Sequence, residues 1–210
     1  MSFLLVGSDA RLSRRLINSI DFKYKTSRRY SPHSNLYLDF RNIETFEIPN
    51  DVSKCLIVGG PVSYEDAKKS HELVKLIHKV KIPFLIKKLL ERDIYTIYIS
   101  SNMVLGKDNL YRSELVKPKP NIEYGKMKFL CEKEILSIEK NKPFHKKLAI
   151  LRLTKHISLD TSPFNNWILK YKKGEQINAF DDLFFSPLSY ESTTKVIERM
   201  LKISPYGIFH

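Results

Sequence analysis

The sequence has few cysteines and lacks segments that would insert into a membrane. Cys55 and Cys131 are the only thiols, too few for a disulfide framework or a four-cysteine zinc site. No run reaches the roughly 18 apolar residues that a membrane span needs, and the N-terminal stretch MSFLLVGSDA lacks the positively charged start of a signal peptide. We therefore expect a cytoplasmic protein of a reducing compartment, without a membrane partner.

Motifs for several kinds of catalysis are also missing. The sequence contains no HExxH or CxxC spacing, and His71 and His78, seven residues apart on a predicted helix, are interpreted as partly exposed helix residues. A GxSxG turn and a phosphate-binding P-loop are absent as well. We therefore expect no metal site, and the sequence offers no candidates for acyl or phosphoryl transfer.

What the sequence does have is an excess of positive charge on a composition typical of folded proteins. Its 210 residues include 36 Lys and Arg against 23 Asp and Glu, a formal net charge of +13, and 42% of the residues are hydrophobic. This length allows one large domain or two small ones. The charge indicates an acidic partner, which can be nucleic acid, an anionic membrane surface or a phosphorylated small molecule, and composition does not choose among them.

Short apolar runs alternate with segments of helical periodicity along most of the chain. The runs, read as strands, are residues 3–6, 35–39, 55–58, 94–99 and 148–151. The helical segments are residues 12–20, 64–79, 84–92, 124–138, 163–174 and 190–202. Near-continuous apolar strands that alternate with helices predict an α/β protein with a doubly wound parallel sheet, covered on both faces.

The alternating pattern weakens after Arg152. We therefore divide the chain into residues 1–155, which form the sheet domain, and residues 156–210, a small region that caps it. The second region is too small for an independent domain, so the two are expected to form a single compact unit.

The first predicted turn between a strand and a helix has the sequence GSDARLS, residues 7–13. In parallel sheets such a turn offers backbone N–H groups to a phosphate, and glycines at its first, fourth and seventh places permit close approach. Here only Gly7 remains, with Ala10 and Ser13 in the other two places. A nucleotide-binding turn and an ordinary turn of an α/β protein both remain open at this point.

A second group of residues is typical of proton transfer. Tyr124 and Lys128 are four residues apart, so on a helix they lie on one face, and Ser101 ends a predicted strand upstream. A lysine ammonium near a tyrosine lowers the pKa of the phenol, which allows the tyrosine to donate and recover a proton at neutral pH. The serine hydroxyl can hydrogen-bond an oxygen of the substrate.

These residues stand in a wider resemblance. The sequence resembles the extended short-chain dehydrogenase/reductase family, also called the NAD-dependent epimerase/dehydratase family, and within it the dTDP-4-dehydrorhamnose reductase branch. YISSNMVL is similar to the family's STDYVF-type strand end, and YGKMKFLCE resembles its YGxSKxxxE helix. The remaining matching segments, in the expected order, are FLLVGSDARLSRRL, LAILRL, AFDDLFFSPLSYEST and the terminal GIFH.

The resemblance implies a Rossmann-like sheet that binds NAD or NADP, and an oxidoreductase, epimerase or dehydratase that acts on a nucleotide-linked sugar by hydride transfer. It implies that Tyr124 is the catalytic acid and base, that Lys128 tunes it and holds the nicotinamide ribose, and that Ser101 polarises the sugar carbonyl. Arg28 and Arg29, which follow the expected second strand, favour NADPH, although an exposed basic loop explains them equally well. The other implied cofactor-binding residues are Gly7, Ala10, Arg11, Leu12, Asp39, Phe40, Gly59, Gly60 and Pro61.

The departures from the family pattern keep a second hypothesis open. The glycine turn is altered, and the sequence stops at GIFH, where relatives continue for tens of residues. Either the substrate pocket is reduced, or a partner subunit, which includes a second copy of the chain, completes the substrate lobe. The alternative function is a catalytically degenerate subunit that binds nucleotide or a partner protein without turnover. Nucleic-acid binding rests on charge alone and is the least favoured hypothesis.

Overall fold

The computed structural model describes residues 2–29, 31–60, 71–106, 113–141, 146–158, 164–178 and 186–210. These residues form a seven-stranded sheet in which every pair of neighbours is parallel, in the order β3-β2-β1-β4-β5-β6-β7. The strands are β1 (Ser2–Val6), β2 (Tyr24–Ser27), β3 (Leu36–Tyr37), β4 (Val52–Ile57), β5 (Tyr95–Ser101), β6 (Leu148–Leu153) and β7 (Gly207–Phe209).

Helices cover both faces of this sheet, and the central strands are therefore buried on both faces. They are α1 (Arg11–Leu16), α2 (His71–Leu76), α3 (Ile82–Glu91), α4 (Glu123–Asn141), α5 (Phe164–Lys172) and α6 (Tyr190–Ile203). Every residue of β5 and β6 is buried. Alternate residues of β1 face opposite ways: Leu4 packs in the apolar cluster that includes α3 and α4, and Leu5 packs in the cluster that includes α1 and α6. The predicted doubly wound parallel sheet is confirmed.

One helical segment differs from the expectation. The sequence predicts one helix over 64–79 and another after Pro83, whereas α2 continues through a π-helical turn, Ile77–Lys81, directly into α3. Pro83 is the second residue of α3 and directly follows the π-helical turn, so its missing backbone N–H falls where the α-helical hydrogen-bond pattern is already interrupted. Residues 64–70 of the first predicted helix lie outside the described residues.

The chain after residue 155 contributes to the sheet itself. Helix α6 packs on the same face as α1, and β7 extends the sheet through pairs such as Ala149 with Gly207. An amphipathic helix and a short strand of this region thus complete the apolar face and the edge of the sheet. The division at residue 155 stays a prediction. Within the described residues, no helix has the length and apolar character to cross a membrane.

Candidate functional site

A cleft with a volume of about 490 Å³ lies at the carboxyl ends of β1, β2 and β4. This is the edge of a parallel sheet at which ligands bind. Several of the residues implied by the family resemblance line it: Gly7, Ala10, Arg28, Arg29, Asp39, Phe40, Gly59 and Gly60. The other lining residues are Asp9, Thr26, Ser27, Leu38, Arg41, Leu73, Val74 and Ile77.

The floor of the cleft is backbone, because Gly7 and Gly59 touch. Gly7 has φ +88°, and a Cβ added there would lie 2.5 Å from the Cα of Gly59. A Cβ on Gly59 would in turn lie 2.8 Å from the Cα of Gly7. Both positions therefore need glycine for the close approach of the β1 and β4 ends, and the same absence of side chains leaves room for a ligand.

The altered glycine turn is held by a hydrogen bond that a glycine could not make. Ser13 is fully buried at the third place of the motif, and its hydroxyl donates to the carbonyl oxygen of Gly7 at 2.7 Å. Ala10 precedes α1 and lines the cleft. The two substitutions are therefore compatible with a tight turn that leaves the cleft open.

Two residues of the implied pyrophosphate contact, Arg11 and Leu12, do not line the cleft in the structure. Arg11 is exposed on the first turn of α1, and Leu12 is buried in the apolar cluster with Leu5. Pro61 lies outside the described residues. The contact of Arg11 and Leu12 with a pyrophosphate stays a prediction, which for Leu12 concerns its backbone because its side chain packs in the core.

A buried carboxylate stands at the β3 side of the cleft. Asp39 accepts hydrogen bonds from the backbone N–H of Arg41 at 2.9 Å and from its Nε at 2.8 Å. The hydrogen bonds from the Arg41 side chain lower the pKa of Asp39 below its usual range, although burial acts to raise it. The charge of Arg28 acts in the same direction. Asp39 is therefore ionised and paired, while Phe40 beside it provides a largely buried aromatic wall.

Ser101 and Tyr124 belong to two segments that pack closely against each other. The Ser101 Oγ accepts a hydrogen bond from the backbone N–H of Met103 at 3.2 Å and so begins a 3-10 turn. A Cβ on Gly125 would lie 2.3 Å from the carbonyl oxygen of Met103. The glycine after Tyr124 therefore lets the start of α4 contact the backbone that follows Ser101. Tyr124 itself is half-buried.

Lys128 lies one turn further along α4 and is buried. Its Nζ donates to the carbonyl oxygen of Ile99 at 3.0 Å and to the Tyr98 hydroxyl at 3.4 Å, and it lies 4.9 Å from the centre of the Tyr98 ring. Among the described residues, Lys128 and Tyr124 form no direct hydrogen bond. The predicted action of Lys128 on Tyr124 therefore stays a prediction that rests on their shared helix face.

His78, expected to be partly exposed, is fully buried in the π-helical turn. Among the residues that the structure describes, neither ring nitrogen has a hydrogen-bond partner. A Cβ on Gly60 would lie 3.7 Å from its Nε2, so the ring lies behind the cleft. Burial, together with the positive charge of Lys128, lowers the pKa of His78 to about 3. The position of His78 four residues after Val74 is compatible with this burial but does not specify it.

Sequence reasoning also missed a buried ion pair behind Ser101. Arg152 on β6 binds Glu132 on α4 with an N–O distance of 2.7 Å, and the two side chains are 2% and 1% exposed. Ser100, the neighbour of Ser101, donates its hydroxyl to the same carboxylate. The pair therefore ties the helix that carries Tyr124 and Lys128 to the strands beside it. Among the described residues, no cluster of three or more metal-ligating side chains occurs.

Comparison with known proteins gives matches among solved structures. A hypothetical dTDP-4-dehydrorhamnose reductase from Sulfolobus tokodaii superposes with a TM-score of 0.81 at 18% identity, over 100% of this chain and 76% of that chain. The chain has the fold of these enzymes. The resemblance identified in the sequence is thereby confirmed at the level of the fold.

Two further structures carry ligands. The dTDP-4-dehydrorhamnose reductase of Bacillus anthracis, in complex with NADP, matches with a TM-score of 0.80 at 19% identity, over 100% of this chain and 74% of that chain. A variant of the UDP-glucuronic acid 4-epimerase of Bacillus cereus, in complex with a UDP-sugar and NAD, matches with a TM-score of 0.79 at 15% identity, over 100% of this chain and 76% of that chain. No protein-family model and no curated protein matches the chain.

Proposed function

We propose that this protein is an NAD(P)-dependent oxidoreductase that acts on a nucleotide-linked sugar by hydride transfer. The observation that carries the proposal is the cleft with a glycine floor, which adjoins the segments of Ser101 and Tyr124 along the same sheet edge. Similar structures hold NADP, or NAD together with a UDP-sugar, in an enzyme of the same fold. We further propose a cytoplasmic protein, with residues 156–210 contributing to the substrate side.

The residues present fit a dinucleotide. Side chains at Gly7 or Gly59 would collide with the opposite backbone and fill the floor of the cleft. Arg28 and Arg29 line its β2 end and are exposed, which favours a 2′-phosphate and hence NADP. Neighbouring strands are about 4.8 Å apart, so an extended ligand crosses about 14 Å from the end of β2 to the end of β5.

A bound nicotinamide supplies or accepts the hydride. We assign the proton to the Tyr124 hydroxyl, which gives it to, or takes it from, the sugar oxygen. The Ser101 hydroxyl, anchored at the end of β5, hydrogen-bonds the same oxygen and orients it. The ammonium of Lys128, buried on the same face of α4, favours the ionised form of a nearby phenol. The tight contact of Gly125 with Met103 keeps these two segments in register.

Replacing Tyr124 by Phe tests this assignment. We expect turnover of nucleotide-linked keto-sugars, followed as loss of the nicotinamide absorbance, to be abolished, while binding of NADPH persists because the phenol does not line the cleft. Tyr171→Phe is the matched control, since Tyr171 is 79% exposed on α5. Undiminished turnover in Tyr124→Phe would show that another group moves the proton.

A catalytically degenerate subunit is the second candidate function. It is favoured by the contacts of Lys128, whose ammonium binds Ile99 and Tyr98 rather than the side of Tyr124. Titration of the protein with NADPH and NADH, followed by nicotinamide fluorescence, together with a turnover assay on nucleotide-linked keto-sugars, separates the two candidates. Binding with turnover supports the enzyme. Binding without turnover, or binding of neither dinucleotide, leaves the degenerate subunit, which acts through bound nucleotide, a partner protein or a second copy of the chain.

A further inference from the structure

Asp9 is the centre of a hydrogen-bond network that joins the glycine turn to the loop after β2. Its two carboxylate oxygens accept hydrogen bonds from different hydroxyls, one from Ser27 and one, at 2.6 Å, from Ser31. Asp9 lies in the turn between β1 and α1, whereas Ser27 is the last residue of the neighbouring strand β2 and Ser31 lies in the loop after it. The carboxylate therefore spans the β2 end of the cleft, which Asp9 and Ser27 both line.

The same two serines also hold the backbone of that loop. The Ser27 Oγ accepts a hydrogen bond from the backbone N–H of Arg29 at 3.0 Å, and the Ser31 Oγ accepts one from the N–H of His33 at 3.2 Å. Each hydroxyl thus donates to Asp9 and accepts from the loop backbone. The conformation of the backbone that carries Arg28 and Arg29 therefore depends on a residue of the glycine turn.

This dependence has a consequence for anion binding. Arg28 and Arg29 are exposed, and long exposed side chains lose conformational entropy when they bind. A backbone held by hydrogen bonds reduces that loss of entropy, because both arginine side chains are then attached at fixed positions on one side of the cleft. Asp9 itself has both oxygens occupied by the serines, and the positive charge of Arg14 lies near it.

We propose that Asp9 is a positioning residue for recognition of the 2′-phosphate of NADP(H): through Ser27 and Ser31 it holds the loop so that Arg28 and Arg29 face that phosphate. This inference rests on the proposed function, that the cleft binds a nicotinamide dinucleotide. The inference adds Asp9, which is not one of the two arginines, to the residues that determine the choice between NADP and NAD.

The state of Asp9 agrees with this role. Partial burial acts to raise the pKa of Asp9, but the hydrogen bonds from Ser27 and Ser31 and the charge of Arg14 outweigh it, so the pKa lies below the usual range. A carboxylate that stays ionised accepts hydrogen bonds from hydroxyls more strongly than a neutral group does. The network is therefore intact at neutral pH.

The test compares two small probes that differ in the phosphate concerned, 2′,5′-ADP and 5′-AMP, together with NADPH and NADH. We expect the unaltered protein to prefer 2′,5′-ADP and NADPH. Asp9→Ala should reduce this preference about tenfold, the factor that corresponds to the loss of about 1.4 kcal/mol, with little change for 5′-AMP and NADH. Calorimetric titration gives the four dissociation constants, and circular dichroism verifies that each variant is folded.

A double variant, Ser27→Ala with Ser31→Ala, is the matched control for charge. It removes the links to the loop but keeps the carboxylate, so it should reduce the preference as Asp9→Ala does. If the double variant keeps the full preference for 2′,5′-ADP and NADPH, the links from Asp9 to the loop are not needed and the inference is wrong. If Asp9→Ala increases that preference, Asp9 acts by repelling the phosphate and the inference is wrong as well.

The failure of the inference and the failure of the proposed function give different results. If the unaltered protein binds none of the four probes, the proposed function fails and the inference fails with it. If it binds NADPH and NADH equally, or if Asp9→Ala leaves the ratio of their dissociation constants unchanged, the proposed function stands and the role of Asp9 is overturned.

Discussion

Replacing His78 by Leu should stabilise the protein, and the gain should grow in acid. The imidazole is fully buried, and within the described part of the chain both of its nitrogens lack hydrogen-bond partners. A buried polar group without a hydrogen bond costs about 1–3 kcal/mol. An apolar side chain of similar size removes this cost, so we expect His78→Leu to raise the free energy of unfolding by about 1 kcal/mol near neutral pH.

The pH dependence follows from the lowered pKa of His78. Burial and Lys128 lower this pKa from 6.5 to about 3 in the folded protein. Below pH 6.5 the unfolded chain therefore binds a proton that the folded protein does not, so stability is lost as the pH falls from 6.5 toward 3. Each pH unit in this window corresponds to about 1.4 kcal/mol, which gives a loss of about 2 kcal/mol at about pH 5. The leucine variant should lack this loss.

The assay is chemical unfolding followed by circular dichroism, at about pH 7 and about pH 5. The quantity compared is the change in unfolding free energy between the two pH values, in the unaltered protein and in His78→Leu. Ile82→Val is the control, because Ile82 is fully buried, lies beside Gly60 as His78 does, and carries no titratable group. It should cost about 0.5–1.5 kcal/mol at both pH values. An equal pH dependence in His78→Leu and in the unaltered protein would refute the reasoning.

A buried lysine and the buried ion pair give two further predictions. Lys54 on β4 is buried, and its Nζ donates to the hydroxyl of Ser204, just beyond the end of α6, at 2.8 Å. Lys54→Met should therefore lower the unfolding free energy, measured by urea unfolding, by about 1–3 kcal/mol. The control Lys202→Met should have little effect, because the Lys202 side chain is 67% exposed. Removing one partner of the ion pair by Glu132→Leu should cost about 3–5 kcal/mol, and adding Arg152→Met should recover much of that loss in thermal unfolding. Equal stabilities of the single and double variants would contradict the second prediction.

The sequence predicts most of the sheet because its central strands are buried on both faces. Runs such as 55–58 and 148–151 are nearly continuous in apolar residues, and each coincides with a central strand. The strand β7 was missed because it has three residues, all of them only partly buried, and no apolar run distinguishes it. Pro83 suggested a break, but the helical segment changes to a π-helical turn just before it and continues, a local change that the sequence pattern does not indicate.

Some residues of the candidate site could likewise be identified from the sequence, and others could not. Gly7, Gly59 and Gly60 could be identified from their places at strand ends, since the chain direction fixes where those ends lie. The role of Asp9 could not, because it depends on hydrogen bonds to serines on another strand and loop. The burial of His78 depends likewise on how the π-helical turn packs against α4, which no local pattern specifies.

The parallel sheet has a kinetic consequence. Since all neighbouring strands run in the same direction, none of them can pair through a short hairpin, and each pairing must wait until an intervening crossover has closed. Ala149 and Gly207, for example, meet only after the chain between them has folded back. Refolding should therefore be slow for a chain of this length, and its intermediates should expose unpaired apolar strands that favour aggregation. Dilute, cold refolding conditions or a chaperone would then determine how much active protein is recovered.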